Sequence, residues 1–167
     1  MDVFEAIEKR RSVRSLVRTE IPMSDIEKIV DAGRRAPSGN NAQPREFIII
    51  TNPQIIERLA VAQGFIREAS VVIAIVADES ASRYWLEDVS ASTENMLLAA
   101  TALGYASCWV EGTLLRVENE AKAILGVPKD KRLIVAIPLG KAAREGSQAN
   151  KKQLSEIVYY DKYGQKR

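Results

Sequence analysis

The stretch Met96-Leu97-Leu98-Ala99-Ala100-Thr101-Ala102-Leu103 decides the fold of this 167-residue chain. It is apolar nearly all round, which is typical of a helix that is buried on every side. It forms the second half of a helix predicted from about Ser82 to Leu103, and Gly104 supplies a residue suited to a helix C-terminus. A central helix of this kind must be covered by other elements, so the sequence indicates a layered fold.

Shorter patterns on both sides of this helix predict the covering elements. Apolar runs predict strands at residues 47–51, 71–76, 106–110 and 133–139, with 158–160 as a candidate fifth strand. Further helices are predicted at residues 2–10, from Ser24 to before Pro37, at 53–62 and at 115–125, and Ser24 with Glu27 reads as a capping box. Helices and strands interleave, which indicates a single α/β or α+β domain over residues 1–167.

Histidine is absent from the chain, and Cys108 is its single cysteine. The usual general base, the usual metal ligand and every Ser-His or Cys-His pair are therefore excluded, as are disulfides within the chain and cysteine-based zinc sites. We expect no metal site and a cytoplasmic protein, since no signal peptide or membrane-spanning run is visible. Cys108 lies in an apolar strand, where an inert core thiol is the plainer interpretation.

Charge is balanced overall but uneven along the chain. There are 24 basic and 22 acidic residues, for a net charge of +2. Residues 9–18 hold five basic side chains and no acid, and residues 141–167 are also rich in lysine and arginine. Two such segments indicate an anionic ligand or a nucleic-acid surface.

The first candidate motif is Arg10-Arg11-Ser12-Val13-Arg14, which directly follows the predicted first helix. Guanidinium groups and a hydroxyl on one short turn can grip a phosphate through charge-assisted hydrogen bonds. The plainer interpretation is a solvated helix end whose arginines complement the helix dipole.

Two further segments carry polar groups suited to a ligand. Pro37-Ser38-Gly39-Asn40-Asn41-Ala42-Gln43-Pro44 offers amide donors and acceptors that suit a flat heterocycle, although a plain turn has the same composition. Trp109-Val110-Glu111-Gly112 runs from a strand into a position where ligands of α/β proteins often bind, although an ordinary strand end would look the same.

Taken together, these segments resemble the FMN-dependent nitroreductase family. The order and spacing agree over nearly the whole chain. The matching motifs include Ala36-Pro37-Ser38, Asn41-Ala42-Gln43-Pro44, the helix beginning Asn95-Met96, Leu125-Gly126-Val127-Pro128, Ile137-Pro138-Leu139-Gly140, and the tail from Lys151 to Val158. The resemblance implies an α+β fold with a central, mostly antiparallel sheet flanked by helices, in an intertwined homodimer with FMN at the interface.

The resemblance also implies which residues hold the cofactor. Arg10, Arg11, Ser12 and Arg14 would bind the phosphate, ribityl chain and pyrimidine edge, helped by Lys151 and Lys152 from a C-terminal arm of about residues 150–167. Pro37, Ser38, Gly39 and Asn41 would approach the flavin ring from the partner chain. Val110, Glu111 and Gly112 would lie against the ring through backbone N–H groups, and Gln63 is a further candidate contact. No side chain would be catalytic, because the flavin carries the chemistry.

The implied activity is ping-pong hydride transfer from NADH or NADPH through FMN to a nitroaromatic, quinone or flavin acceptor. Arg45 stands where the family often has Trp, and segments 60–71 and 78–88 are short, which favours an open active-site mouth. A flavin-binding sensor or carrier and a basic nucleic-acid-binding domain stay open as alternatives, although neither basic segment has the interleaved aromatics typical of single-strand binding. Trp85 fits either the flavin mouth or a plain helix start, and Tyr159 and Tyr160 fit packing.

Overall fold

One antiparallel sheet organises the part of the chain that the computed structural model describes, residues 1–144 and 146–167. Its strands are β1 Leu16–Val17, β2 Arg45–Ile50, β3 Val71–Ala77, β4 Ala106–Ser107 and β5 Arg132–Ala142. They run in the order β1-β5-β3-β2, β4 also pairs with β5, and every strand pair is antiparallel. The α+β class with a central antiparallel sheet is therefore confirmed.

Helices cover both faces of this sheet. The helices of the described residues are α1 Val3–Lys9, α2 Met23–Arg34, α3 Pro53–Leu59, α4 Trp85–Ala102, α5 Gly112–Arg116, α6 Glu118–Leu125 and α7 Leu154–Ile157, with 3₁₀ turns at Gly39–Asn41 and Gly64–Glu68, and the covering is done by α2 to α6. Among the described residues, the helices fall short of the length and hydropathy that crossing a bilayer requires.

The two faces of β3 enter two separate cores. Val72 and Ala74 pack with residues of α3, α5 and α6, whereas Ile73 and Ile75 pack with residues of α2 and α4. Every residue of β3 is consequently buried, as the continuous apolar run predicted. Met96, Leu97 and Ala100 of α4 are buried, whereas Ala102 is exposed, so within one chain this helix is buried on one side and not on every side as predicted.

The end of α4 has the geometry that Gly104 predicted. Gly104 takes a φ of +83°, its N–H donates to the Thr101 carbonyl at 3.0 Å, and the Tyr105 N–H donates to the Ala100 carbonyl at 2.9 Å. These two bonds form a Schellman motif, which satisfies carbonyls that the helix leaves free.

Several predicted boundaries are wrong. The segment 158–160 is not a strand, and the fifth strand is instead Leu16–Val17 beside β5. The predicted strand at 106–110 ends at Ser107, after which Val110 rejoins the sheet through a single bridge to Ala136. The helix predicted at 115–125 is interrupted at Val117, whose φ is −124°.

The two helix starts predicted at Ser24 and Ser82 are also wrong. The capping box of Ser24 and Glu27 is absent because α2 already begins at Met23, so Ser24 lies inside the helix, and Pro22 at its N-cap makes no side-chain bond. The α4 helix begins at Trp85 rather than Ser82, since Ser82 Oγ accepts the Tyr84 N–H in a preceding turn.

Candidate functional site

A basic cleft forms where α1 ends beside β4. Arg10 is the C-cap of α1, and the chain then extends so that Ser12 makes a single parallel bridge with Ser107. The Val13 N–H donates to the Ser107 carbonyl at 2.9 Å, which fixes this segment against the sheet edge.

The cleft, of about 350 Å³, collects residues from both basic segments. It is lined by Arg10, Arg11, Ser12, Arg14, Ser147, Gln148, Ala149 and Lys151. The fold thus brings five of the predicted phosphate ligands together, while Lys152 is not part of this lining. Guanidinium, ammonium, hydroxyl and amide groups make a lining that suits an anion.

The arginines of the basic cleft have different local partners. Arg10 Nε lies 3.2 Å from Oε1 of Glu94 on α4, and Arg11 donates to the carbonyls of Glu8 and Arg10. Arg11 Nε is buried without a hydrogen-bond partner among the described residues, and an orphaned donor of this kind is costly unless a ligand accepts from it.

Cys108 lies within electrostatic reach of the same arginines. Burial raises the pKa of its thiol, and the positive charges of Arg14 and Arg10 offset part of that rise. Cys108 is buried in the core shared with α3, α5 and α6, so the inert interpretation fits its surroundings.

The 37–41 loop, which is the first part of the second predicted segment at residues 37–44, lies against the first turn of α4. The Gly39 N–H donates to Oδ1 of Asp88 at 2.9 Å, and the Gln43 N–H donates to Oγ of Ser38 at 3.1 Å. Asn40, Asn41 and Gln43 all have positive φ, at 51°, 56° and 49°. Such non-glycine residues cost about 1–3 kcal/mol each, and strain of this kind concentrates at functional sites.

Within one chain, the 37–41 loop and the basic cleft are separate surfaces. The loop contacts Asp88 and the cleft contacts Glu94, six residues further along α4. Six residues correspond to about 9 Å and about 240° around the helix axis, so the two contacts are on different sides of α4.

The third predicted segment lies between the end of β4 at Ser107 and the start of α5 at Gly112. The Val110 N–H donates to the Ala136 carbonyl at 3.0 Å and is therefore occupied by the sheet. Glu111 and Gly112 stand at the start of α5, where a helix has no acceptors of its own for N–H groups. The prediction that backbone donors face a ligand thus stays open for Glu111 and Gly112 but is wrong for the Val110 N–H.

Gln63 lies apart from the basic cleft. It is half-buried at the N-cap of the Gly64–Glu68 turn and makes no capping hydrogen bond with its side chain. Its neighbours Ala62 and Ile66 pack in the same core as Leu114 of α5, which places Gln63 on the sheet face that α5 covers.

Large apolar side chains remain uncovered at both ends of the chain. The predicted apolar face of α1 exposes Val3, Phe4 and Ile7, with Phe4 79% exposed. In the tail, Leu154 and Tyr163 are 74% and 91% exposed. Tail contacts within the described residues include the Tyr159–Tyr163 ring pair and the Lys166 bonds to Ser155 and Val158.

A family model described as "Putative TM nitroreductase" matches residues 2–166 of this chain. The chain belongs to the nitroreductase family. The resemblance that the sequence motifs carried is therefore confirmed. Within the described part of this nitroreductase, no group of three or more Cys, Asp or Glu side chains is placed to hold a metal ion.

Named relatives agree with the family. A "Putative NADH dehydrogenase/NAD(P)H nitroreductase" of Archaeoglobus fulgidus is 35% identical over 148 residues, which cover 83% of this chain and 84% of the relative. A protein of the same name from Methanothermobacter thermautotrophicus is 33% identical over 86% of this chain and 78% of its own.

Solved structures show the same fold. The structure of a "putative nitroreductase in complex with fmn" from Desulfovibrio desulfuricans is 28% identical to this chain. Its TM-score is 0.81, and the match covers 98% of this chain and 98% of its own. A structure from Bacteroides thetaiotaomicron, named as an NADH dehydrogenase/NAD(P)H nitroreductase, is 25% identical with a TM-score of 0.89 over 96% of this chain and 98% of its own.

Three residues that position the site of this nitroreductase escaped the sequence analysis. Glu94 contacts Arg10, Asp88 contacts Gly39, and Arg45 donates to the carbonyls of Ala36 and Pro37. Asp88 and Glu94 are two of the three acidic side chains of α4, a helix whose predicted role was packing. The one available signal was Arg45, which differs from the Trp that the family often has at that position.

Proposed function

We propose that this chain is an FMN-dependent oxidoreductase that takes hydride from NADH or NADPH and delivers it to a nitroaromatic, quinone or flavin acceptor. The observation that carries the proposal is the basic cleft, in which Arg10, Arg11, Ser12, Arg14 and Lys151 converge in a chain of the nitroreductase family. The FMN-bound relative from D. desulfuricans supports the choice of cofactor.

The donor set of the basic cleft fits a phosphate monoester. Its phosphate carries close to two negative charges, and arginine matches that geometry with paired N–H groups. Arg11 belongs to this lining, and its Nε is buried without a hydrogen-bond partner among the described residues. Lys151 adds a point charge from the tail, and Lys152 is placed by this proposal at the outer side of the same phosphate.

When bound, FMN supplies the redox chemistry, because its ring can accept a hydride and pass it on. This chain then has two tasks toward the ring. The N–H groups of Glu111 and Gly112 would donate to the ring and so stabilise negative charge on it, and Val110, which precedes them, would lie beside the ring. Gln63 is proposed as a polar contact on the same sheet face. Donor and acceptor substrates use one open face in turn, so no side-chain acid or base is required.

The proposed assembly is a homodimer with two shared sites. Pro37, Ser38, Gly39 and Asn41 of one protomer approach the flavin ring held by its partner, which joins two surfaces that are separate within one chain. The exposed Phe4 and Ile7 of α1 and the exposed Leu154 and Tyr163 of the arm supply apolar area for the contact between protomers.

Optical spectroscopy tests the proposal directly. The purified protein, incubated with FMN and desalted, is expected to be yellow, and anaerobic NADH or NADPH should bleach its flavin absorbance. A steady-state panel of nitroaromatic, quinone and flavin acceptors then identifies the substrate class.

The alternatives give different results. A yellow protein that neither nicotinamide bleaches would indicate a flavin carrier or sensor instead. A protein that takes up no FMN but binds DNA or RNA with a steep salt dependence would indicate the nucleic-acid alternative.

A further inference from the structure

The side chain of Arg45 connects three backbone carbonyls at the base of the 37–41 loop. At the first position of β2, its guanidinium donates to Ala36 O at 2.9 Å, Pro37 O at 3.0 Å and Asp88 O at 2.7 Å. We propose that Arg45 and Asp88 are positioning residues that hold the 37–41 loop in the geometry needed at the partner's flavin ring. The inference rests on the proposed function.

The side chain of Asp88 makes a second contact with the loop, at Gly39. Its Oδ1 accepts the Gly39 N–H at 2.9 Å, while its Oδ2 is buried without a partner in the described residues. Asp88 is only 4% exposed, and a buried carboxylate needs a compensating charge. Burial lowers the pKa of Arg45 below its ordinary value, and the Asp88 charge offsets part of that fall.

The conformation of the loop explains why two such contacts are needed. Asn40, Asn41 and Gln43 occupy the left-handed region, which persists only where surrounding contacts enforce it. Tyr84 closes the remaining side, because a Cβ added to Gly39 would lie 2.4 Å from Cδ2 of the Tyr84 ring. Arg45, Asp88 and Tyr84 therefore all contact the loop or the residue before it.

Neither Arg45 nor Asp88 lines the basic cleft. Their loss should therefore leave phosphate binding intact and disturb only what the loop does. A loop that moves by about 1 Å can slow a reaction by as much as 100-fold, because donor and acceptor atoms must meet within a narrow range. Loss of Arg45 or Asp88 should therefore lower the reaction rate, whereas loss of Arg10 or Arg14 should lower the affinity for FMN.

The test uses the FMN-loaded protein with Arg45→Lys and Asp88→Asn. Lysine keeps the charge but lacks the fork that reaches three carbonyls, and asparagine keeps an acceptor for Gly39 but removes the charge. Arg58→Lys, at an exposed arginine of α3, is the matched control. The readouts are the rate of flavin reduction by NADH or NADPH in stopped flow, the flavin absorbance maximum, the dissociation constant for FMN and the thermal midpoint.

We expect both variants to reduce FMN about 10- to 100-fold more slowly, with a shifted absorbance maximum and a change in the dissociation constant for FMN that is much smaller than the loss of rate. Wild-type reduction rates in both variants would overturn the inference, as would a loss of FMN affinity that parallels a loss of thermal stability. If one variant fails to fold, the other decides by the same criteria. A wild-type protein that takes up no FMN, or that neither nicotinamide bleaches, overturns the proposed function and this inference with it.

Discussion

The indole Nε1 of Trp109 donates a 2.9 Å hydrogen bond to Oε2 of Glu111. The two residues flank Val110, whose backbone is fixed to Ala136 of β5 in both directions. The Trp109 ring packs against the core formed with α2 and α4, so the Glu111 carboxylate is tied to the protein interior. The Glu111 side chain, held by this bond, makes no capping hydrogen bond to α5, the helix whose first N–H groups the proposal assigns to the flavin.

A double-mutant cycle should detect this bond. Trp109→Phe keeps most of the ring packing and removes the donor, and Glu111→Ala removes the acceptor. We expect a coupling free energy of about 1–2 kcal/mol in urea unfolding, because the acceptor is charged and both side chains are partly buried. The control cycle pairs Trp109→Phe with Glu120→Ala on α6. Additive effects in the first cycle would contradict the bond.

The basic cleft gives a second prediction. Arg10→Ala and Arg14→Ala should each weaken FMN binding by about 1.5–3 kcal/mol, the range for hydrogen bonds to charged groups. Titration calorimetry with the apoprotein measures the loss, and Arg58→Ala serves as the exposed control. Because Arg10 also pairs with Glu94, we expect Arg10→Ala to lower thermal stability more than Arg14→Ala does. Unchanged FMN affinity in both variants would refute the phosphate assignment.

The sequence allowed the sheet and the basic cleft to be predicted, but not the contacts that hold the loop. β3 was predictable because an unbroken apolar run has few alternatives to a strand buried on both faces. Arg10 and Arg14 were identified because their charges stand in one short segment. Arg45 and Asp88 were not, since they are 43 residues apart in sequence and their partners are backbone atoms. β1 was missed because two residues carry no detectable period.

An ion pair far from the cleft predicts how stability depends on pH. Arg132 binds both carboxylate oxygens of Glu118, at 2.9 and 3.0 Å, and the Leu133 N–H donates to the same group at 3.0 Å. Burial raises the pKa of Glu118, but the Arg132 and Leu133 hydrogen bonds and the nearby positive charges lower it further, to below its ordinary value of 4.5.

Glu118 therefore binds its proton more weakly in the folded state, and its stabilising effect is present above pH 4.5 and disappears as the pH falls through the lowered pKa. Glu118→Gln should cost about 1–2 kcal/mol of unfolding free energy at pH 7. The difference from wild type should shrink below pH 4.5 in urea titrations. Glu120→Gln, at an exposed position of the same helix, should show no such pH dependence. A difference in unfolding free energy between wild type and Glu118→Gln that stays constant with pH would exclude the ion pair as its cause.

The shared site of the proposed homodimer can be tested with mixed dimers. Arg14→Ala disables the basic cleft, and Gly39→Val forces either the 37–41 loop or the Tyr84 ring to move. Two affinity tags allow purification of dimers that carry these substitutions on different protomers or both on one protomer.

If the 37–41 loop serves the partner's flavin, the dimer with substitutions on different protomers keeps one intact site. It should retain about half of the nicotinamide-dependent flavin reduction of a wild-type dimer, because a symmetric dimer has two equivalent sites. In the dimer with both substitutions on one protomer, each site combines one intact and one damaged part: an intact cleft with a damaged loop, or a damaged cleft with an intact loop. This dimer should be nearly inactive. The reverse pattern would mean that cleft and loop of the same chain form the site, since the unsubstituted protomer would then work alone.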